Sequence, residues 1–507
     1  MIVLKFGGSS VADATCMRQV AGLVKAALPQ APLVVLSAMG KTTNGLFDAA
    51  KAAEAGDLGG AMERQRKLMA AHRKAAEDLF TGAVPEELDA ALTGLFGEME
   101  LLLRGVAMLR ELSPRSMDAI ASLGERLSTR IFAAFVGGAW VDARSVVRTD
   151  AVFGEAAPQQ EAIQALATAD LKPLLGPGKA VVTQGYIGAT EDGLTTTLGR
   201  GGSDFSAALF GAALGAAEVQ IWTDVEGVLT CDPRIVPEAL PIPELSFAEA
   251  AELAAFGAKV LHPATIQPAV EARIPVTVRH TQKPQGRFTT ISSEVHTGRP
   301  ITALASRGPV TVLTVSSSRM LAQSGFLARL FEVFGRRGVS VDLVATAEVS
   351  VSLTVEADMP LKALIKDLSA FATVEVNQDR AIIAAVGERL KSTPGLGARL
   401  LSALGDINVE MISMGANEIN LSLVVRRNQG DEALRRLHRV LAGGASGASD
   451  PSISGSAEGD GSAQPSPPTP SGPRPGKWAG ERPRSPRPMW PSMPAWRRPW
   501  KPTWTGR

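Results

Sequence analysis

The stretch Val3-Leu-Lys-Phe-Gly-Gly-Ser-Ser10 decides the fold class. A short apolar strand pattern stops at two glycines. The same form recurs at Leu33-Val-Val-Leu36, Val181-Val-Thr183 and Val219-Gln-Ile-Trp222, each closed by Gly, Ser or Thr. Long Ala/Leu-rich helical patterns fill the intervals, notably around 61–80 and 86–112. Continuous apolar strands separated by helices predict an α/β fold, a mostly parallel sheet between helix layers. Ligands of such sheets bind at the C-terminal strand ends. The segments just after each strand are therefore the candidates for chemistry.

Composition sets the outer bounds. The 507 residues hold 52 Lys+Arg and 51 Asp+Glu, a net charge of +1. Residues 451–507 carry nine Lys/Arg against three Asp/Glu, which leaves the preceding 450 at −5. A mildly acidic body argues against nucleic-acid binding driven by bulk charge. No apolar run reaches the ~18 residues needed to span a bilayer, so no membrane role is expected. The N-terminus begins directly with a strand pattern, without the features of a signal peptide. The two cysteines, Cys16 and Cys231, build neither a disulfide framework nor a thiolate metal site. The five histidines show no metal-ligand spacing, and a cytoplasmic protein is expected.

Beyond residue 307 the pattern changes. Residues 327–355 align without gaps on 397–425, with nine identities in 29 positions, among them Arg329/Arg399, Gly335/Gly405 and Glu348/Glu418. Each copy reads as a strand (Val310–Val315, Ala381–Val386), an amphipathic helix stopped by Gly and two further strands. This predicts two related modules in tandem. After about residue 444 the chain turns to Gly, Ser, Pro, Arg and Trp; 14 of 33 prolines and five of seven tryptophans follow residue 450. That composition predicts a disordered tail.

Six segments carry candidate chemistry. In Lys5-Phe-Gly-Gly-Ser9, glycines let the backbone approach a phosphate, and a helix expected near Val11 would aim its positive end there. Lys5 adds a full charge. Gly40-Lys41-Thr42 lacks the earlier glycine of a P-loop, since position 35 is Val35. The segment 40–45 then reads as a polar loop offering Thr43 to a substrate. In Thr195-Thr-Thr-Leu-Gly-Arg-Gly-Gly-Ser-Asp204, Arg200 suits a carboxylate. Ser203 or Asp204 is open to either a site role or a helix cap. Trp222-Thr-Asp224 through Arg234 suits a nucleotide, and Lys259 in Phe256-Gly-Ala-Lys-Val-Leu-His-Pro263 would be a second cation. Glu125 alone reads as a solvated helix face, and beside Arg200 as an ammonium partner.

In this order the motifs resemble the amino-acid kinase family and, within it, the monofunctional, lysine-sensitive aspartokinases. Met320-Leu-Ala-Gln-Ser-Gly-Phe326 and Val339-Ser-Val-Asp-Leu343 extend the match to about 440 of the 507 residues. The resemblance implies an amino-acid kinase domain at 1–300, two ferredoxin-like ACT domains at 307–445 and a tail at 446–507. It implies ATP as co-substrate, Mg²⁺ carried by the nucleotide, no protein metal site, L-aspartate as acceptor, a lysine effector and a homodimer, with a tetramer open, formed through the ACT domains. It places Lys5, Gly7, Gly8 and Ser9 along the ATP phosphates, with Lys5, Asp204 and Lys259 as the catalytic charges. Thr43, Glu125, Arg200 and Ser203 would hold aspartate: Arg200 the α-carboxylate, Glu125 the ammonium. Thr223, Asp224, Leu229, Arg234, Lys259 and Val260 would frame the nucleotide; Leu229 stands where the family often has an aromatic residue. Met320, Phe326, Leu327, Ser340, Val341, Asp342, Thr346 and Glu348 would form the effector pocket, where Gln323 and Ala347 replace expected serines.

The rival readings are a kinase for glutamate, acetylglutamate or a nucleoside monophosphate, and a catalytically dead amino-acid sensor. Arg200 with Glu125 favours a free amino acid. Lys5, Arg200 and Asp204 together disfavour the dead sensor. Nothing after residue 445 offers the pattern of a fused dinucleotide-binding dehydrogenase.

Overall fold

The computed structural model describes residues 1–257, 263–293, 299–321, 324–415 and 417–443. Lys259, Val260, Gln323 and the 446–507 tail lie outside the described residues. The N-terminal strands are β1 (Ile2–Phe6), β2 (Pro32–Leu36), β3 (Ala139–Trp140), β4 (Val181–Gln184), the hairpin β5 (Ile187–Ala189) and β6 (Thr195–Thr197), β7 (Val219–Thr223), β8 (Glu244–Ser246), β9 (Val276–His280) and β10 (Thr289–Ser292). Eight of them form one sheet in the order β3-β4-β2-β1-β7-β9-β10-β8. Every neighbouring pair is parallel except β9–β10. The alternation of β1 explains its double burial. Val3 packs on one face with Val35, Val181 and Phe210. Ile2, Leu4 and Phe6 pack on the other with Leu36, Met17 and Phe132. Period-2 geometry therefore sends Lys5 to the face of Val3.

Helices cover both faces. The first, α1 (Ala14–Ala27), starts three residues later than the sequence suggested. Asp13 caps it by accepting from the Cys16 amide at 2.8 Å, and Gly8–Val11 forms only a 3₁₀ turn. The Gly-Gly turn thus does not sit on an α-helix N-terminus, and the dipole argument for it falls. The expected polar loop 40–45 is also corrected: helix α2 (Thr42–Glu54) begins inside it. Next come α3 (Leu58–Leu79), α4 (Glu86–Leu109) and α5 (Pro114–Val136). Ser113 caps α5 ahead of Pro114, and Gly137 ends it at φ +64°. The short α6 (Ala143–Val146) and α7 (Gln160–Leu166) follow, then α8 (Gly202–Leu214), α9 (Phe247–Ala255) and α10 (Pro263–Glu271).

The C-terminal region is a six-stranded antiparallel sheet, β12-β13-β11-β14-β16-β15. Its strands are β11 (Ala303–Ser316), β12 (Val344–Thr346), β13 (Ser350–Glu356), β14 (Thr373–Val386), β15 (Met411–Met414) and β16 (Asn420–Arg426). Its helices are α11 (Phe326–Arg337), α12 (Leu361–Ser369), α13 (Leu396–Leu404) and α14 (Gly430–Gly443). The repeat is real, but the modules are nested rather than strictly tandem. β11 and β14 each run 14 residues through both. The first module uses Val310–Ser316 paired with Thr373–Arg380. The second uses Ala303–Arg307 paired with Ile382–Val386, with a register shift between the halves. The fourth strand of the second repeat is thus supplied by chain that precedes the first.

Candidate active site

Lys5 occupies the C-terminal end of β1, on the face covered by α8. Asp204 lies in the first turn of that helix, and its Oδ1 is 2.6 Å from Lys5 Nζ. Both side chains are mostly buried, at 11% and 17% exposure. The approach is too oblique for an aligned hydrogen bond, so charge holds the pair. Helix capping is not the role of Ser203 or Asp204. Gly201 is the N-cap, in left-handed conformation at φ +73°, and no side chain caps the helix. Ser203 instead accepts from the Ser37 hydroxyl at 2.9 Å, joining α8 to the end of β2.

Glu125 is not solvated. Helix α5 is buried around most of its circumference, and Glu125 is only 3% exposed. Its Oε1 accepts from the Ala38 amide at 3.1 Å. Its Oε2 is buried with no hydrogen-bond partner among the described residues. Burial pushes its carboxyl up to about 8, against the smaller opposing effect of the Ala38 amide. One turn on, Ser128 Oγ donates to Ser37 O at 2.8 Å. The segment after β2 is therefore fixed by α5. It also explains Gly8: a Cβ there would meet Ala38 O at 2.9 Å and Gly40 O at 3.0 Å.

These elements enclose a cleft of about 540 Å³ at the C-terminal ends of β1 and β2. Lys5, Gly7, Gly8, Thr43, Glu125, Arg200, Ser203 and Asp204 all line it. Thr43 does so from the first turn of α2. Arg200 is exposed and has no ion-pair partner among the described residues. Ser37, Phe47, Glu155 and Tyr186 also line the cleft and were missed. Tyr186 directly follows β4 and was within reach of the strand-end rule; its φ of +69° is unusual for a bulky residue.

The residues expected to frame a nucleotide do not line this cleft. Thr223 ends β7 and donates to Asp224 at 3.1 Å. Leu229 is half-buried, bridged to Pro241. The Arg234 side chain is 74% exposed and is held by Asp232 at 2.5 Å. In the first C-terminal module, Met320, Phe326 and Val341 are half-buried, while Leu327, Ser340, Thr346 and Glu348 are exposed. Asp342 is already paired: Arg307 reaches its Oδ1 at 2.7 Å. Burial nonetheless raises the Asp342 carboxyl above its ordinary range, outweighing Arg307. Its Oδ2 is buried without a partner among the described residues. Among the described residues no helix is long and apolar enough to cross a membrane.

Residues 1–280 match the amino acid kinase family, and residues 313–366 and 383–441 match the ACT domain. The chain is 39% identical over 454 residues to the lysine-sensitive aspartokinase 3 of Escherichia coli (strain K12), covering 87% of this chain and 99% of that one. A solved structure of E. coli aspartokinase III with aspartate and ADP, in the R-state, aligns at TM-score 0.75 and 38% identity, over 87% of this chain and 100% of that one. Its T-state structure with lysine and aspartate aligns at TM-score 0.72 and 39% identity, over 87% and 99%. The chain belongs to the amino acid kinase family. Within it, the chain is an aspartate kinase that carries ACT domains.

Proposed function

We propose that the chain transfers the γ-phosphoryl group of ATP to the β-carboxylate of L-aspartate, giving 4-phospho-L-aspartate. The observation that carries this reading is the single cleft shared by Lys5, Glu125, Arg200 and Asp204. Arg200, free of other ion pairs among the described residues, takes the α-carboxylate through parallel hydrogen bonds. The unpartnered Glu125 Oε2 receives the α-ammonium, with Thr43 and Ser203 alongside. Those contacts turn the β-carboxylate toward Lys5. The nucleophile is already an anion, so no general base is needed. Lys5, held beside Asp204, offsets charge on the moving phosphoryl group, with Lys259 as the expected second cation. Gly7, Gly8 and Ser9 lie along the phosphates, and Asp204 keeps the lysine aimed. Thr223, Asp224, Leu229, Arg234 and Val260 frame the base and ribose.

Magnesium would arrive on ATP near Asp204 and would supply neutralisation of the phosphate charge beside Lys5. A coupled assay with ATP, Mg²⁺ and L-aspartate, with hydroxylamine to trap the acyl phosphate, tests the reaction. Hydroxamate that depends on aspartate is expected. Equal turnover with glutamate would overturn the substrate assignment.

The reaction would open lysine, threonine and methionine biosynthesis, with lysine as feedback inhibitor. A lysine ammonium would compete with Arg307 for Asp342, whose second oxygen has no partner among the described residues, with Glu348 nearby in sequence. The T-state relative that binds lysine supports this. A titration in which lysine leaves activity unchanged would remove it. Exposed Leu327, Phe331, Val344 and Val349 on the same module suit a homodimer contact.

A further inference from the structure

We infer that Asp118 is a positioning residue for the amino-acid half of the cleft. It lies on α5, seven residues before Glu125, and is 2% exposed. Seven residues are two helical turns, so both carboxylates project from one face of the same helix. Glu125 reaches the segment after β2, whereas Asp118 holds the opposite wall. Its Oδ2 accepts from the Thr197 amide at 3.0 Å and the Gly154 amide at 2.9 Å. Its Oδ1 accepts from the Thr197 hydroxyl at 2.8 Å.

Those donors sit where the cleft wall begins. Thr197 is the last residue of β6, and the next seven residues run through Arg200 to Asp204. Gly154 precedes Glu155, whose Cγ is packed so closely on Gly199 that a Cβ there would meet it at 3.0 Å. One carboxylate therefore joins two wall segments to the helix that bears the proposed ammonium acceptor. Its job is to fix the spacing between Arg200 and Glu125, the two groups that grip the ends of a free amino acid. The inference rests on that assignment of Arg200 and Glu125.

The geometry predicts that shape, not charge, is what matters at this position. In Asp118→Asn the amide oxygen can keep both backbone donors. The amide nitrogen can donate to Thr197 Oγ1, whose proton turns to Gly154 O, 3.3 Å away. In Asp118→Leu both backbone donors lose their acceptor, and the Thr197 hydroxyl is left with only Gly154 O. Misplacing reacting groups by about 1 Å costs up to ~100-fold. Steady-state kinetics on the full chain, varying each substrate, should show kcat/KM for aspartate about 10–100-fold lower in Asp118→Leu. KM for ATP should stay within about threefold, and Asp118→Asn should recover most of the loss. Thr197→Val, which removes one donor, should give a smaller loss of the same kind and serves if Asp118→Leu does not fold. Equal damage to both substrates, equal damage in Asn and Leu variants, or no aspartate effect would overturn the inference. Arg200→Ala run in parallel separates the two readings. If it leaves KM for aspartate unchanged, the assignment beneath the inference has failed; if it raises KM while Asp118→Leu does not, only the inference has.

Discussion

The cleft around Glu125 and the loop after β7 are built on opposite plans. The first is preformed: Glu125, Ser37, Ser203 and Lys5 are held by buried helices and strand ends, with one carboxylate oxygen left open. The second presents exposed Asp224 and Arg234, whose polar atoms are engaged by neighbours, Arg234 by Asp232 and Asp224 by Thr223. On the proposed assignment, the contrast teaches that a small, polar acceptor would be selected by a rigid frame, whereas the nucleotide would meet side chains already satisfied by their neighbours. A rigid frame limits the freedom lost on binding and fixes near-attack geometry.

Five measurements would sharpen or break this contrast. Lys5→Ala should lower kcat by about 10²–10³-fold with little change in KM for aspartate, as removal of a charge-stabilising group does; near-normal turnover would contradict the phosphate role. Arg200→Ala should raise KM for aspartate by roughly 10–100-fold, the range for hydrogen bonds to a charged group, and leave KM for ATP close to wild type. The pH profile comes next. Glu125 must be ionised to hold an ammonium, and burial raises its carboxyl to about 8 in the free protein. The ratio kcat/KM for aspartate should therefore climb as pH rises through about 8, and Glu125→Gln should flatten that climb. The same shift has a stability sign. A carboxyl whose folded value is raised contributes stability that is fully present below the ordinary carboxylate range and lost as pH rises through about 8. Without substrate, Glu125→Gln should raise Tm more at pH 9 than at pH 5, and thermal melts at both would show it. The smallest effect should come from Arg234→Ala, because an exposed, solvent-screened ion pair contributes little. A few-fold rise in KM for ATP is expected. A loss as large as that of Lys5→Ala would erase the distinction between the two regions.

Much of the fold was legible because parallel strands buried on both faces read as unbroken apolar runs. β1, β2, β4 and β7 fall where those runs lie, and Lys5, Arg200 and Asp204 share the cleft their motifs suggested. Three features resisted. The α1 start depended on Asp13 as a cap, a local choice that a glycine pair nearby obscured. The burial of Glu125 followed from how much of α5 is packed, which a single residue and its neighbours do not reveal. The pairing of Ala303–Arg307 with Ile382–Val386 joins segments nearly 80 residues apart, and no local pattern encodes such a partner. Glu155 and Tyr186 were overlooked because neither sits inside a Gly-rich motif.

The interleaved strands have a consequence for protein engineering. Because the second repeat takes its fourth strand, Ala303–Arg307, from chain that precedes the first, it cannot be excised, swapped or expressed alone without stripping Ile382–Val386 of a hydrogen-bonding neighbour. Chimeras meant to transplant feedback behaviour should exchange residues 303–443 as one cassette. Crossovers placed between the two copies should yield insoluble product.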